Sequence, residues 1–233
     1  MKAKMKVPTT LNEITLGQYQ RYKKVAEKFE ENNDFLRQKM IENFCNVELS
    51  HVLLIKRSSV LEISGILQDL FNAKCELVPT FKIKDVEFGF IPNLDKITQG
   101  EYADLDSYIT DWDKIHKAMA VLYRPIKDKK GTNYSIHNYE GTDEYSELMR
   151  FMPLDVAFGA YLFFCRLGNE LLNSTLEFLK EEAEEVLSQC SHSFLRDGDG
   201  ITQFINSLTE RYGKLTMLPE DLCTNASHFF PIK

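Results

Sequence analysis

The run FGFIPNLDKITQGEYADLDSYITDWDKIHKAMAVLYRPI, residues 88–126, decides how this chain folds. Pro92 and Asn93 break whatever precedes them. Thr98 stands three residues before Glu101. That is the capping-box spacing, in which each side chain satisfies a free backbone N–H at a helix start. Tyr102, Leu105, Tyr108, Ile109 and Trp112 then follow helical spacing, with Asp104, Asp106, Asp111 and Asp113 between them. Ile115, Met119 and Leu122 recur on one face, which Ala118, Val121 and Tyr123 widen. Pro125 stops the run, because it lacks an N–H and biases Arg124 toward extended backbone. The spacing predicts two helices, about 98–111 and 112–123, or one bent helix.

Upstream, residues 1–10 are basic and read as a loose terminus, with Lys2, Lys4 and Lys6 free to meet an acidic partner. Thr15 and Gln18 form a second capping-box pair ahead of a helix over about 16–31. Asp34 can cap a helix carrying Leu36, Met40, Ile41 and Phe44. A third pattern, about 58–73, carries Val60, Ile63, Leu67, Leu70 and Phe71; residues 49–57 fit either state. At Pro79 the period changes to two. Phe81, Ile83, Val86, Phe88 and Phe90 alternate around Lys84-Asp85, which predicts a hairpin. A second hairpin is expected over about 123–139, with a polar turn from Lys127 to Asn133. Together the two make one small antiparallel sheet.

Downstream, Pro153 fits the first turn of a helix whose start Asp155 favours. Val156 to Cys165 is apolar throughout, too short for a bilayer span of about 20 residues, and so reads as a buried helix. It continues through Leu171 and Leu172 into the acidic, amphipathic stretch Glu177 to Val186. Arg196 to Gly200 is a turn, and a last helix covers about 201–212. The expected architecture is mainly α, with hairpins in the middle of the chain. It forms a single domain over 1–233: N-terminal helices to 78, hairpins and central helices over 79–139, C-terminal helices and tail over 140–233.

The chain has 233 residues and a net charge of -7. Sequence-independent nucleic-acid binding needs a basic footprint, and this composition does not supply one. Cys45, Cys75, Cys165, Cys190 and Cys223 lie too far apart for a zinc motif and read as reduced thiols. The start MKAKMKVPTT has no apolar core, so no secretory signal is expected. Asp197 and Asp199 beside glycines have the outline of a calcium loop, but the twelfth position is Leu208 where a Glu is needed. His51, His116, His137, His192 and His228 show no paired metal spacing. His116, with Asp113 or Asp111 near it, has the makings of a general base but lacks any sign of a substrate pocket. Glu101, Asp104 and Asp106 read as solvent-facing carboxylates that favour a helix start. No phosphate-loop or nucleophile-elbow string occurs. No catalytic, cofactor-binding or metal-binding residue is therefore expected. The exposed-looking feature is the tail, where Phe229, Phe230 and Ile232 are candidates to dock in a groove of a partner or of a second copy.

Three strings carry a resemblance: GFIPNLDKITQGEYADLD at 89–106, KAMAVLYRPI at 117–126 and MPLDVAFGAYLFF at 152–164. They resemble proteins of the structural modules of tailed bacteriophages and, more distantly, tail assembly chaperones. The shared pattern is one of packing residues, so it brings no catalytic or binding residue with it. The resemblance implies a non-enzymatic protein of the host cytoplasm that binds other tail proteins, such as the tape-measure protein, during virion assembly. The alternative it leaves is a structural virion component: a neck, baseplate or tail-completion subunit.

Overall fold

The computed structural model describes residues 5–29 and 33–167, with the isolated positions 170, 174 and 178. These residues fall into two compact units, one ending at Tyr161 and one beginning at Leu162. The first is mainly helical with one small antiparallel sheet.

Two of its helices begin at side-chain capping boxes. Thr15 and Gln18 close a full capping box on α1, Leu16–Ala26. Helix α2, Asn33–Phe44, buries Leu36, Met40, Ile41 and Phe44, as their spacing predicts. Asp34 is not its cap; the helix already includes Asn33, and Asp34 sits in the first turn, paired with Arg37 and Arg57. Asn46 ends this helix in the left-handed region, at φ 52, a conformation that Asn tolerates better than most residues. The ambiguous stretch 49–57 forms a short helix, α3, Leu49–Val52, and the turn into α4, Arg57–Phe71.

The two hairpins form as alternation predicts and join into one sheet. Strands β1, Thr80–Ile83, and β2, Val86–Phe90, turn over Lys84-Asp85. Strands β3, Tyr123–Lys130, and β4, Asn133–Ile136, turn over Gly131-Thr132. That turn is tighter than the predicted Lys127 to Asn133, because Gly131 adopts φ 62 at no steric cost. The strand order is β1-β2-β3-β4. The central pairing sets Gly89 against Arg124 and Phe90 against Tyr123. Gly89 has to be glycine, since the Tyr134 ring lies where its Cβ would project.

Between the hairpins lie α5, Gln99–Tyr108, and α6, Ile115–Leu122. The run 98–123 is thus two helices, and Tyr123 already belongs to β3. After β4 come the single turn α7, Ser146–Met149, and α8, which starts at residue 154. Pro153 is not its first residue. It stands one position before, bridged to Thr15, while Leu16 N donates to Met152 O at 2.9 Å and Leu154 N to Ile14 O at 2.9 Å. The entry to α1 is thereby bound edge to edge with the entry to α8. The terminus is held as well: Lys6 pairs with Glu13 at 2.7 Å, and Leu11 and Ile14 are buried.

The core of this unit is aromatic. Tyr19 packs on Trp112 at 5.3 Å and on Phe158 at 5.1 Å between ring centroids, and Trp112 meets Phe158 at 5.6 Å. Phe44 and Phe71 extend the cluster toward α2 and α4. Val156 to Ala160 are fully buried. Tyr161 is half-buried, which narrows the predicted buried segment. In the second unit residues 162–167 are helical; Leu162 is buried, and Phe163, Phe164 and Cys165 are half-buried. The acidic stretch, the turn at 196–200, the helix expected over 201–212 and the tail lie outside the described residues.

Candidate functional site

Glu101 does not face solvent. Its helix is anchored to the sheet through it, because the carboxylate is divided between two tasks. Oε2 accepts from Thr98 N at 2.6 Å and completes the capping box of α5. Oε1 lies 2.6 Å from Nη2 of Arg124 on β3. Glu101 is 4% and Arg124 8% exposed, so the pair is desolvated. Tyr139 covers the guanidinium, its ring centroid 5.7 Å from Cζ, and its hydroxyl donates to Asp104. Asp106 remains exposed. The buried carboxylate and guanidinium neutralise each other beneath the half-buried Tyr139 ring, which is the arrangement of a structural joint. Arg124 Nε stays buried with no hydrogen-bond partner in the described structure.

His116 is 3% exposed, and its neighbours are not the predicted Asp111 and Asp113. Those carboxylates turn outward, to Lys114 at 3.0 Å and to Lys24 at 3.4 Å. The ring instead lies between Gln20 Nε2, 3.0 Å from Nδ1, and Arg150 Nη2, 3.0 Å from Nε2. Gln20 Nε2 also donates to Trp112 O at 2.9 Å, and its Oε1 accepts from Arg150 Nη1 at 3.0 Å, which fixes the amide's orientation. An imidazolium would therefore point an N–H at a donor on each side. Burial, and then the charge of Arg150, push the pKa of His116 down to about 4, against an opposing pull from Glu147 at 3.6 Å. A ring so placed is a weak base that ties α1 and α6 to Arg150.

Among the described residues, no three His, Cys, Asp or Glu side chains gather as a metal site would require. No described helix is long and apolar enough to cross a membrane. Cys45 and Cys75 are buried, and burial raises the Cys45 thiol to about 11, far from a reactive thiolate.

What the surface does offer is apolar. Leu53 is 61%, Leu54 83% and Leu61 44% exposed, at the corner where α3 turns into α4. A groove between α2 and this corner runs past Val52, Leu53, Val60 and Leu61, with Asp34 and Arg57 on its rim. Monomeric proteins seldom leave large aliphatic side chains grouped in water without a use for them. The sequence held a signal for this corner, three apolar residues at 53–55 inside the ambiguous stretch 49–57, that periodicity alone could not assign. Phe229, Phe230 and Ile232, the predicted partner-binding residues, lie outside the described residues. Compared with protein-family models, curated proteins and solved structures, the chain matches none of them.

Proposed function

We propose that this chain is a non-enzymatic assembly protein of a tailed bacteriophage. It acts like a tail assembly chaperone, binding other tail proteins such as the tape-measure protein in the host cytoplasm before the virion is complete. The phage assignment rests on the three strings at 89–106, 117–126 and 152–164. The observation that carries the binding role is the exposed leucine corner of Leu53, Leu54 and Leu61. It is the kind of surface that shields another protein's apolar stretch. The use of Glu101, Arg124 and His116 as internal joints supports a role without catalysis, since each is occupied by the fold.

Co-expression with the tape-measure protein tests this. The tagged chain is expected to retain that protein in the soluble fraction. The Leu53→Asp/Leu54→Asp variant is expected to lose it with an unchanged melting temperature. Capture by neither form, or equal capture by both, contradicts the role assigned to the corner.

A further inference from the structure

We infer that the outer edge of β1 is a second docking surface, which takes an extended, acidic segment of a partner protein by strand addition. The inference deepens the partner-binding reading and rests on it only in taking the partner to be a protein.

Parity along the strand comes first. Phe90 N donates to Pro79 O at 2.8 Å, and Ile83 pairs with Val86 across the two-residue turn. Residues 79, 81 and 83 therefore spend their backbone groups on β2. Thr80 and Lys82 direct theirs the other way. The strand order places β1 at the edge of the sheet, and no described residue bonds to the outward N–H and C=O of either. Such an edge is a template for another strand, and strand addition is a common way to capture an extended peptide.

The ground beside this edge favours it over β4. A groove of about 570 Å³ runs up to Pro79, the residue before β1, and its walls include Leu11, Leu70, Leu77 and Val78. Alternate side chains of an added strand have apolar ground to enter there.

Charge then selects the occupant. Lys82 and Lys84 are exposed along the edge, and Glu87 on the neighbouring strand is already paired with Lys129 at 2.5 Å. At the turn the remaining acidic side chain is Asp85, and in the groove beyond Pro79 Glu76 lies beside Lys74 while Asp155 already accepts from Asn12 at 3.2 Å. A second copy joined β1 to β1 would bring two Lys82 and two Lys84 together, and like charges across strands oppose pairing. An acidic strand meets both lysines favourably.

The probe is a synthetic ten-residue peptide of alternating Glu and Val, followed by amide NMR shifts on the full chain. The expected result is saturable binding, with the amides of Thr80 and Lys82 shifting and slowing in hydrogen exchange. Two variants localise it. Thr80→Pro removes an outward N–H at the first residue of β1 and keeps both lysines, so the β1–β2 ladder stays and binding falls at least tenfold. Lys82→Glu/Lys84→Glu reverses the charge without touching the backbone and is expected to do the same. Lysines that merely keep strands apart would leave the peptide unbound, and that result overturns the inference. So do shifts confined to β4, or binding indifferent to both variants. None of these outcomes bears on capture through the leucine corner, which uses other residues.

Discussion

Arg124 Nη2 lies 2.6 Å from Oε1 of Glu101, both residues buried, one on β3 and the other in the first turn of α5. The pair joins the run 89–106 to the run 117–126. It also ties polar residues of both into the packing of the fold. Each carboxylate oxygen is engaged within the fold, Oε2 by Thr98 N and Oε1 by Arg124.

Removing one partner strands the other. Glu101→Gln and Arg124→Met are each expected to cost about 3–5 kcal/mol, since each leaves an uncompensated buried group. The double variant is expected to cost less than the sum, and urea denaturation of all four proteins measures the coupling. Additive losses would mean that the two side chains act independently.

Gly159 admits no side chain. A Cβ there would overlap the carbonyl of Glu76, which is backbone and cannot swing aside. Gly159→Ala is expected to destabilise by about 1–3 kcal/mol through overpacking. Gly65 on α4 has nothing within 4 Å of its Cβ position and serves as the control. Gly65→Ala is expected to stabilise by about 0.5–1 kcal/mol, the ordinary helix preference. Thermal melts of the two variants should move in opposite directions.

His116 makes stability depend on acidity. Its folded pKa is lowered from 6.5 to about 4. The unfolded chain thus binds the proton first, and the contribution of the neutral ring is complete above about pH 6.5 and lost as pH falls toward 4. Within that window the slope reaches at most about 1.4 kcal/mol per pH unit. Glu13, Glu147 and Asp111 are held low by Lys6, Arg150 and Lys114, so their own losses begin as pH falls into the ordinary carboxylate range and continue below it. His116→Gln is expected to flatten the curve between pH 5 and 6.5. An imidazole NMR titration with a midpoint near 6.5 in the folded protein would contradict this.

Phe158 is the core residue of the apolar run after Pro153. It is fully buried between Tyr19 and Trp112, whereas Phe163 and Phe164 are half-buried. Phe158→Ala is expected to cost about 3–5 kcal/mol. Phe163→Asp is expected to cost less than Phe158→Asp, because a half-exposed carboxylate keeps part of its hydration. Trp112, the only tryptophan, reports each unfolding transition by its emission.

Local signals carried most of the fold. Both capping boxes form, because Thr15-Gln18 and Thr98-Glu101 need only their own backbone. The two hairpins and their union follow from alternation and tight turns. What was not legible depended on partners distant in sequence. Nothing near Glu101 announces Arg124, and nothing near His116 announces Arg150, 34 residues on. Local spacing instead pointed His116 at Asp111 and Asp113, which lie on the wrong side of the turn. The Thr15–Pro153 bridge is invisible for the same reason. Leu53 and Leu54 are not legible as a surface because they lie in the turn after the short α3, where no helical or strand period marks a face.

Mass spectrometry of purified virions beside the infected-cell lysate tests the assembly role most directly. The chaperone-like account predicts that this chain is abundant in the lysate, together with tape-measure protein, and absent from mature particles. Its presence in virions at a fixed stoichiometry would contradict that account and make the chain a structural component.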